Sequence, residues 1–244
     1  MDVIVISLVR ASARRAHVDR QLRAQSIPYR FFDAIDGKAG YRIGFDECDA
    51  SQFILRTGRA VTAGEIGCFA SHREVWRDCV AAGRPVVVLE DDFDLDPRFS
   101  LALEQAERLI EGHGFIRLQS ETRAKSIRLQ EAGRFAVHYY TKVPHGAAGY
   151  CISPEVARSF IEASRVLNAP VDVFIKRAWE HGRPIFGLLP YTVRLSALAS
   201  RSTIGMRRKM RKPMSVRSAR LIERARSAAQ AAGFNRALLR RLRP

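Results

Sequence analysis

Apolar and polar positions along the chain fall into alternating strand-like and helix-like stretches. Val3-Ile4-Val5-Ile6 is a short continuous apolar run, the mark of a strand buried on both faces. From Arg10 to Gln25 the spacing changes, with Val18 and Leu22 four apart among charged residues. That spacing predicts an amphipathic helix, with Ser12 as a candidate cap. Tyr29-Arg30-Phe31-Phe32 reads as a second strand ending in the loop signal Asp33-Ala34-Ile35-Asp36-Gly37. Residues 38–60 show no clear period. Thr62-Ala63-Gly64-Glu65 fits a capping box, and its helix should run to about Ala82 and stop at Gly83. Pro85 leads into Val86-Val87-Val88-Leu89, a second fully buried strand that stops abruptly at Glu90-Asp91-Asp92. Asp96-Pro97 predicts a helix to about Gly112 with proline in its first turn. Phe115 to Leu118 reads as a strand, and a strand pair is expected around 134–143 and 147–152. Ser153-Pro154-Glu155 opens a helix, Pro170 precedes another to Gly182, and Ile185 to Leu189 closes the sheet. Alternating strands and helices predict an α/β fold, with a mostly parallel sheet flanked by helices on both faces.

The 244 residues suffice for one large α/β domain or two small ones. Hydrophobic residues at 47% and charged residues at 27% describe a folded chain rather than a disordered one. The net charge of +16 changes the picture, because it is unevenly placed. Residues 201–244 hold 14 Lys and Arg against the single acid Glu223, a net of +13, which leaves +3 for the first 200 residues. The expectation is a near-neutral domain over 1–200 and a basic helical tail over 201–244. The tail combines the cluster Arg207-Arg208-Lys209-Met210-Arg211-Lys212 with a helical stretch from Val216 to Arg241. Leu221, Ile222, Ala225, Ala228, Ala229 and Ala232 lie on or near one side of it. Such a helix suits an anionic bilayer surface, at roughly 1 kcal/mol per nearby Lys or Arg; a solvated tail is the alternative. Little aromatic interleaving counts against nucleic acid as the partner.

No apolar run approaches the ~20 residues a membrane span needs. Asp2 stands where a signal peptide would be basic, so the apolar start reads as a strand. Cys48, Cys68, Cys79 and Cys151 form no paired motif, which fits reduced thiols in the cytoplasm.

The strongest chemical signal is Glu90-Asp91-Asp92, three carboxylates where a hydrophobic strand stops. Open α/β sheets bind ligands beyond the carboxyl ends of their strands. Adjacent carboxylates raise one another's proton affinity unless a cation offsets them. A divalent ion with oxygen ligands, Mn²⁺ or Mg²⁺, bridged to a diphosphate would do so. The competing reading is a solvated acidic turn continued by Asp94 and Asp96.

Several segments, in order, resemble glycosyltransferase family 25, the lipopolysaccharide and lipo-oligosaccharide glycosyltransferases and collagen galactosyltransferases. They are Ile6-Ser7-Leu8 with Arg10, Arg14 and Arg15, then Phe32-Asp33-Ala34-Ile35-Asp36-Gly37, then Gly64 through Ser71-His72. Val88-Leu89-Glu90-Asp91-Asp92, Gly146 through Ser153, and Pro170-Val171-Asp172 follow. The resemblance implies a GT-A-like fold, a UDP-sugar donor (often UDP-galactose), a divalent metal, and usually inversion at the anomeric carbon.

It also assigns roles. Glu90, Asp91 and Asp92 correspond to the family's acidic metal-binding element, with Asp92 as direct ligand, Asp91 beside it, and Glu90 also a candidate catalytic residue. Ser7, Arg10 and Arg14 would meet the uracil or diphosphate; Arg15 is better read as solvated helix surface. Asp33 and Asp36 end the second strand, where Asp36 either bonds the donor or only turns the chain before Gly37. Glu65 and His72, seven apart, share a helix face with Cys68, Phe69 and Trp76, and with Ser71 they would support the donor site. Gly146 and Gly149, beside Tyr150, would let backbone approach the sugar or acceptor. Inversion needs a general base, and Asp172 is the candidate; it could instead merely complement the helix dipole. The chain departs from the family at Ser202-Thr203-Ile204 and in the extra acid Asp94. The expected function is sugar transfer from a UDP-sugar to a saccharide or glycolipid acceptor, by a protein peripheral on the inner face of the cell membrane. Its rivals are a metal-dependent nucleotidyl- or phosphotransferase and a basic nucleic-acid-binding module. Lack of a P-loop motif weighs against a P-loop enzyme, and the near-neutral first 200 residues weigh against the binding module.

Overall fold

A computed structural model describes residues 1–42, 44–119, 124–196 and 214–242. The strands β1 (Asp2–Ser7), β2 (Tyr29–Asp33), β4 (Val86–Glu90), β6 (Phe115–Arg117), β7 (Ser126–Ala132), β8 (Phe135–Tyr140), β9 (Gly149–Ile152) and β11 (Phe186–Leu189) build one sheet. Its order is β2-β1-β4-β9-β6-β11-β8-β7. Two-stranded pairs are added by β3 (Glu47–Cys48) with β10 (Val166–Leu167), and by β5 (Phe93–Leu95) with β12 (Val193–Leu195).

The sheet is mixed rather than simply parallel. β9 runs antiparallel to both β4 and β6, and β8 antiparallel to β11 and β7, while the other neighbours are parallel. The expected pairing of 134–143 with 147–152 does not form. β8 takes β7 and β11, and β9 is inserted between β4 and β6. β11 therefore lies inside the sheet, and β2 and β7 are its edges.

Strand alternation sorts the core into two layers. Ile4, Ile6, Val86 and Val88 face the layer holding Phe69, Trp76, Phe160 and Phe174. Val3, Val5, Val87 and Leu89 face the layer holding Val18, Leu22, Phe99 and Ile110. Helices α1 (Ser12–Ala24) and α4 (Phe99–His113) thus cover one face, and α3 (Ala63–Ala82), α5 (Pro154–Ala163) and α6 (Val171–Lys176) the other. The capping box of α3 forms as expected, and Gly83 ends the helix in the left-handed conformation.

Other helix boundaries differ from the sequence reading. Ser12 is the first residue of α1 and not its cap; Ala11 stands there with no side-chain bond. Asp96 accepts from the Arg98 backbone and side chain instead of capping at Pro97, so α4 starts at Phe99. The stretch without period contains α2 (Ala50–Thr57), capped by Asp49. The helix expected from Pro170 to Gly182 breaks at Arg177 into α6 and α7 (Ala178–His181).

The last helix, α8 (Met214–Leu242), lies against the domain. Glu223, the one acid of residues 201–244, pairs with Arg177 at 3.0 Å and Arg56 at 3.9 Å. Asn235 accepts from Tyr139 Oη at 2.5 Å and donates to the Thr141 carbonyl at 2.8 Å. Phe234, Leu238 and Leu239 pack on the core layers. The basic cluster 207–212 and Ser202-Thr203-Ile204 lie outside the described residues. No helix among the described residues is long and apolar enough to cross a membrane.

His181 illustrates a cost carried by the core. Its ring packs on Phe160 and Phe174, its Nδ1 accepts from the Arg183 N–H, and its Nε2 donates to the Ile175 carbonyl. Burial first, then the charge of Arg183, pushes its pKa down to about 4, against the Ile175 bond, which raises it. A folded pKa below the unfolded value of ~6.5 makes the unfolded chain bind the extra proton. Stability should therefore be full above ~6.5 and fall by roughly 1.4 kcal/mol per pH unit toward pH 4. Urea melts of His181→Gln, which keeps the donated bond but does not titrate, should show a shallower acid limb; an unchanged limb refutes the assignment.

Candidate active site

β2, β1 and β4 lie side by side and parallel, with Ser7 level with Asp33 and Ile6 level with Glu90. Their carboxyl ends form one rim of a cleft of about 350 Å³, closed opposite by the first turn of α3. Ser7, Arg10, Arg14, Asp36, Glu90, Asp91 and Asp92 all line it, with Lys38 and Cys68. The sequence-selected residues from three separate segments are thus brought together. Asp33 is outside, paired with Arg15, which also donates to the Ser7 carbonyl at 2.8 Å. Arg15 is therefore not the solvated helix residue its sequence context suggests. Asp94 also points elsewhere, held by His17 at 2.7 Å.

The three carboxylates have unequal surroundings. Asp91 is buried, accepting from Ser7 Oγ at 2.6 Å on one oxygen and pairing with Arg14 at 2.7 Å on the other. Burial raises its proton affinity, and Ser7 and Arg14 hold part of that rise back. Asp92 has a buried Oδ1 with no hydrogen-bond partner among the described residues. Burial first, then the charges of Glu90 and Asp91, push its pKa up to about 7, with Arg14 opposing. An orphaned oxygen and clustered negative charge are what a hard divalent cation would satisfy. The residues present fit such an ion.

Behind Glu90 runs a buried relay. Trp76 Nε1 donates to Tyr150 Oη at 2.9 Å, and Tyr150 Oη lies 2.7 Å from His72 Nδ1. Burial pushes the Tyr150 pKa well up, so its O–H must donate, and His72 Nδ1 is the acceptor in reach. By this donor count the His72 proton sits on Nε2, 3.4 Å from Glu90 Oε1. Cys68, His72 and Glu90 bring ligand atoms within 4.8 Å of one another. Burial, then Glu90 and Asp172, raise the proton affinity of the Cys68 thiol, and His72 Nε2 is buried without a hydrogen-bond partner among the described residues. Tyr150 and His72 are fully buried and do not line the cleft, from which Glu90 and Cys68 separate His72.

Glu65 and Ser71 shape the cleft from below. Glu65 completes the capping box and accepts from Arg59 at 2.6 Å, fixing the α3 start against the loop before it. Ser71 accepts from the Ile35 N–H at 2.8 Å and donates to the Gly67 carbonyl at 2.7 Å. Asp36 turns the chain by accepting from Lys38 N at 3.1 Å, and it also pairs with Arg10 at 3.2 Å. The loop rests on α3 backbone to backbone: a Cβ on Gly67 would sit 2.3 Å from the Ile35 carbonyl. Gly67→Ala should cost ~1–3 kcal/mol by forcing the loop away. The thermal midpoint should fall by roughly 2–4 °C per kcal/mol; a normal midpoint would disprove this packing.

Asp172, in the first turn of α6, does not line the cleft, though its charge bears on Cys68, which does, and on Arg59. Burial raises its pKa, but His145, the Val173 N–H and Lys176 outweigh that and hold it below the usual value. His145 Nδ1 lies 3.4 Å from Asp172, and Lys176 Nζ 2.8 Å from His145 Nε2. Arg117, fully buried, donates to the His145 and Gly146 carbonyls at 3.0 and 2.8 Å and fixes this loop. At Gly146 a Cβ would meet Gln119 Oε1 at 2.8 Å, and at Gly149 it would meet Val193 at 3.1 Å. Both glycines thus make room for neighbouring protein atoms. Arg59, Arg117 and His145 escaped the sequence reading; the one signal was Arg117 itself, a lone charge within an apolar strand.

The model of glycosyltransferase family 25 (LPS biosynthesis protein) matches residues 1–175. The lacto-N-neotetraose biosynthesis glycosyltransferase LgtE of Neisseria meningitidis serogroup B is 32% identical over 178 residues, 68% of this chain and 61% of its own. Procollagen galactosyltransferase 1 of Danio rerio is 28% identical over 193 residues, 71% of this chain and 30% of its own. Inactive glycosyltransferase 25 family member 3 of Homo sapiens is 37% identical over 110 residues, 43% of this chain and 18% of its own. The chain spans less than two-thirds of the length of each of these relatives. With most of its length matched by one family model, the chain belongs to glycosyltransferase family 25.

Proposed function

We propose that the protein transfers a hexose, galactose in the first instance, from a UDP-sugar to a hydroxyl of a lipopolysaccharide- or lipo-oligosaccharide-type saccharide, with inversion, on a GT-A-like fold. The observation that carries this reading is the cleft in which Asp92 keeps an orphaned buried oxygen beside Glu90 and Asp91. Asp92 supplies the direct ligand for Mn²⁺ or Mg²⁺. Asp91 supplies a second, since each of its oxygens keeps a lone pair after Ser7 and Arg14 are served. The bound ion would offset the charge that builds on the departing diphosphate. Arg10, Arg14 and Lys38 bring cationic groups to the same cleft, where they hold the diphosphate. Asp36 and Ser7 contribute polar groups for the nucleoside. His72 lies behind Glu90, its Nε2 3.4 Å from Glu90 Oε1 and without a hydrogen-bond partner among the described residues. Asp172 takes the proton of the attacking acceptor hydroxyl.

The positive excess of residues 201–244, with Leu221 and Ile222 exposed on α8, supports contact with an anionic membrane surface. The inner face of the cell membrane would place the protein where a lipid-linked acceptor is anchored. The decisive experiment offers the protein a panel of UDP-sugars and oligosaccharide acceptors with Mn²⁺, with Mg²⁺, and with chelator. Metal-dependent UDP release, fastest with UDP-galactose, is expected. UDP release that chelator leaves untouched, or none with any sugar, refutes the reading.

A further inference from the structure

We propose that a second cavity, one helical turn from Asp172, is the acceptor subsite, and that it selects a saccharide bearing a carboxylate or phosphate. This rests on the transferase reading above. The cavity, of about 250 Å³, lies between α6 and α7, the end of β8 and α8, a size suited to one sugar unit rather than an extended ligand. Lys142 and Lys176 line it, and no carboxylate does. Neither lysine has a carboxylate partner among the described residues, whereas Arg177 in the same wall is neutralised by Glu180 and Glu223. The lining therefore presents cations and no carboxylate of its own, with Asp172, reached through His145, as the offset to Lys176. Lys142 and Arg117 contribute to lowering the Lys176 pKa, after burial, against Asp172; an anion between the lysines would relieve that repulsion.

The remaining walls suit a sugar. Phe234, and the face of Trp179 that Arg177 does not cover, offer aromatic surface for the apolar face of a pyranose. Trp179 Nε1 is buried and has no hydrogen-bond partner among the described residues, so it is a donor awaiting an oxygen. His145 links Lys176 to Asp172 by contacts of 2.8 and 3.4 Å. An acid group held by the lysines would thus leave a hydroxyl of the same or the adjoining ring next to the base.

The test titrates the full chain, saturated with UDP and Mn²⁺ so that the donor cleft is filled, with glucose 6-phosphate, glucuronic acid, glucose and inorganic phosphate. Both acidic sugars should bind about ten-fold more tightly than glucose, the worth of one charge-assisted hydrogen bond. Lys142→Ala and Lys176→Ala should each remove most of that advantage, Trp179→Phe should weaken every sugar, and UDP affinity should stay unchanged in all three. Equal binding of glucose and glucuronic acid overturns the proposal, as does wild-type affinity in Lys142→Ala. Inorganic phosphate binding as tightly as glucose 6-phosphate would mean a bare anion contact and overturns it too. If UDP itself fails to bind while the acidic sugars discriminate as stated, the donor reading is the one that fails.

Discussion

Replacing Asp92 by asparagine is expected to lower kcat by about 10²–10³-fold, the range seen when one preorganised electrostatic group is removed from a reacting centre. The amide keeps the shape of the side chain and loses the charge that the orphaned Oδ1 would bring to a cation. UDP affinity in Mn²⁺ should fall toward its value in chelator. Stability should move the other way. Burial first, then the charges of Glu90 and Asp91, oppose the ionisation of Asp92, so removing its charge should leave the metal-free thermal midpoint equal or higher. Three measurements settle the matter: turnover, UDP affinity with and without Mn²⁺, and the midpoint in chelator. Near-normal turnover that still requires metal would place the ion elsewhere.

Asp172→Asn should lower kcat by ~10²–10⁴-fold, the usual contribution of a general base, while UDP affinity and folding change little. Asp172 Oδ1 accepts from the Val173 N–H at 2.9 Å, and an asparagine oxygen can keep that bond. Because His145, Val173 and Lys176 hold this carboxyl below its usual pKa, it is ionised at neutral pH and ready to accept a proton. The same shift makes it a weaker base, which argues for the lower part of the range. A residue that only complements the helix dipole would cost at most ~1 kcal/mol of stability and spare turnover. Turnover within a few-fold of wild type, with chemistry rate-limiting, would exclude the base assignment.

What could be read from the sequence was local. The runs Val3–Ile6 and Val86–Leu89 declared buried strands, and Thr62 with Glu65 declared a helix start, because neighbours along the chain decide those features. Glu90-Asp91-Asp92 could be placed at a sheet edge for the same reason. Strand order could not. Gly149-Tyr150-Cys151-Ile152 is apolar on both faces, which says that β9 is internal but not which strands flank it. Asp96 looked like a cap until Arg98, two residues on, took its carboxylate. The role of His72 was hidden because its partners, Tyr150 and Glu90, are 78 and 18 positions away. Ser71 shows the opposite case: the motif marked it as important, and its work is to bind a loop to α3.

The position of β9 has a kinetic consequence. Both of its neighbours precede it in the chain, β4 ending at Glu90 and β6 at Arg117, while β9 does not begin until Gly149. β1, β2 and β4 can assemble through their own connections, but the β4 edge then waits, unpaired, for a strand some sixty residues downstream. Such non-local closure is slow, on the order of milliseconds to seconds. For that interval Val86-Val87-Val88-Leu89 presents an apolar edge with no charge or proline within it, guarded only at its ends by Pro85 and by Glu90-Asp91-Asp92. Refolding from denaturant should therefore compete with self-association through this strand, and its yield should fall as protein concentration rises.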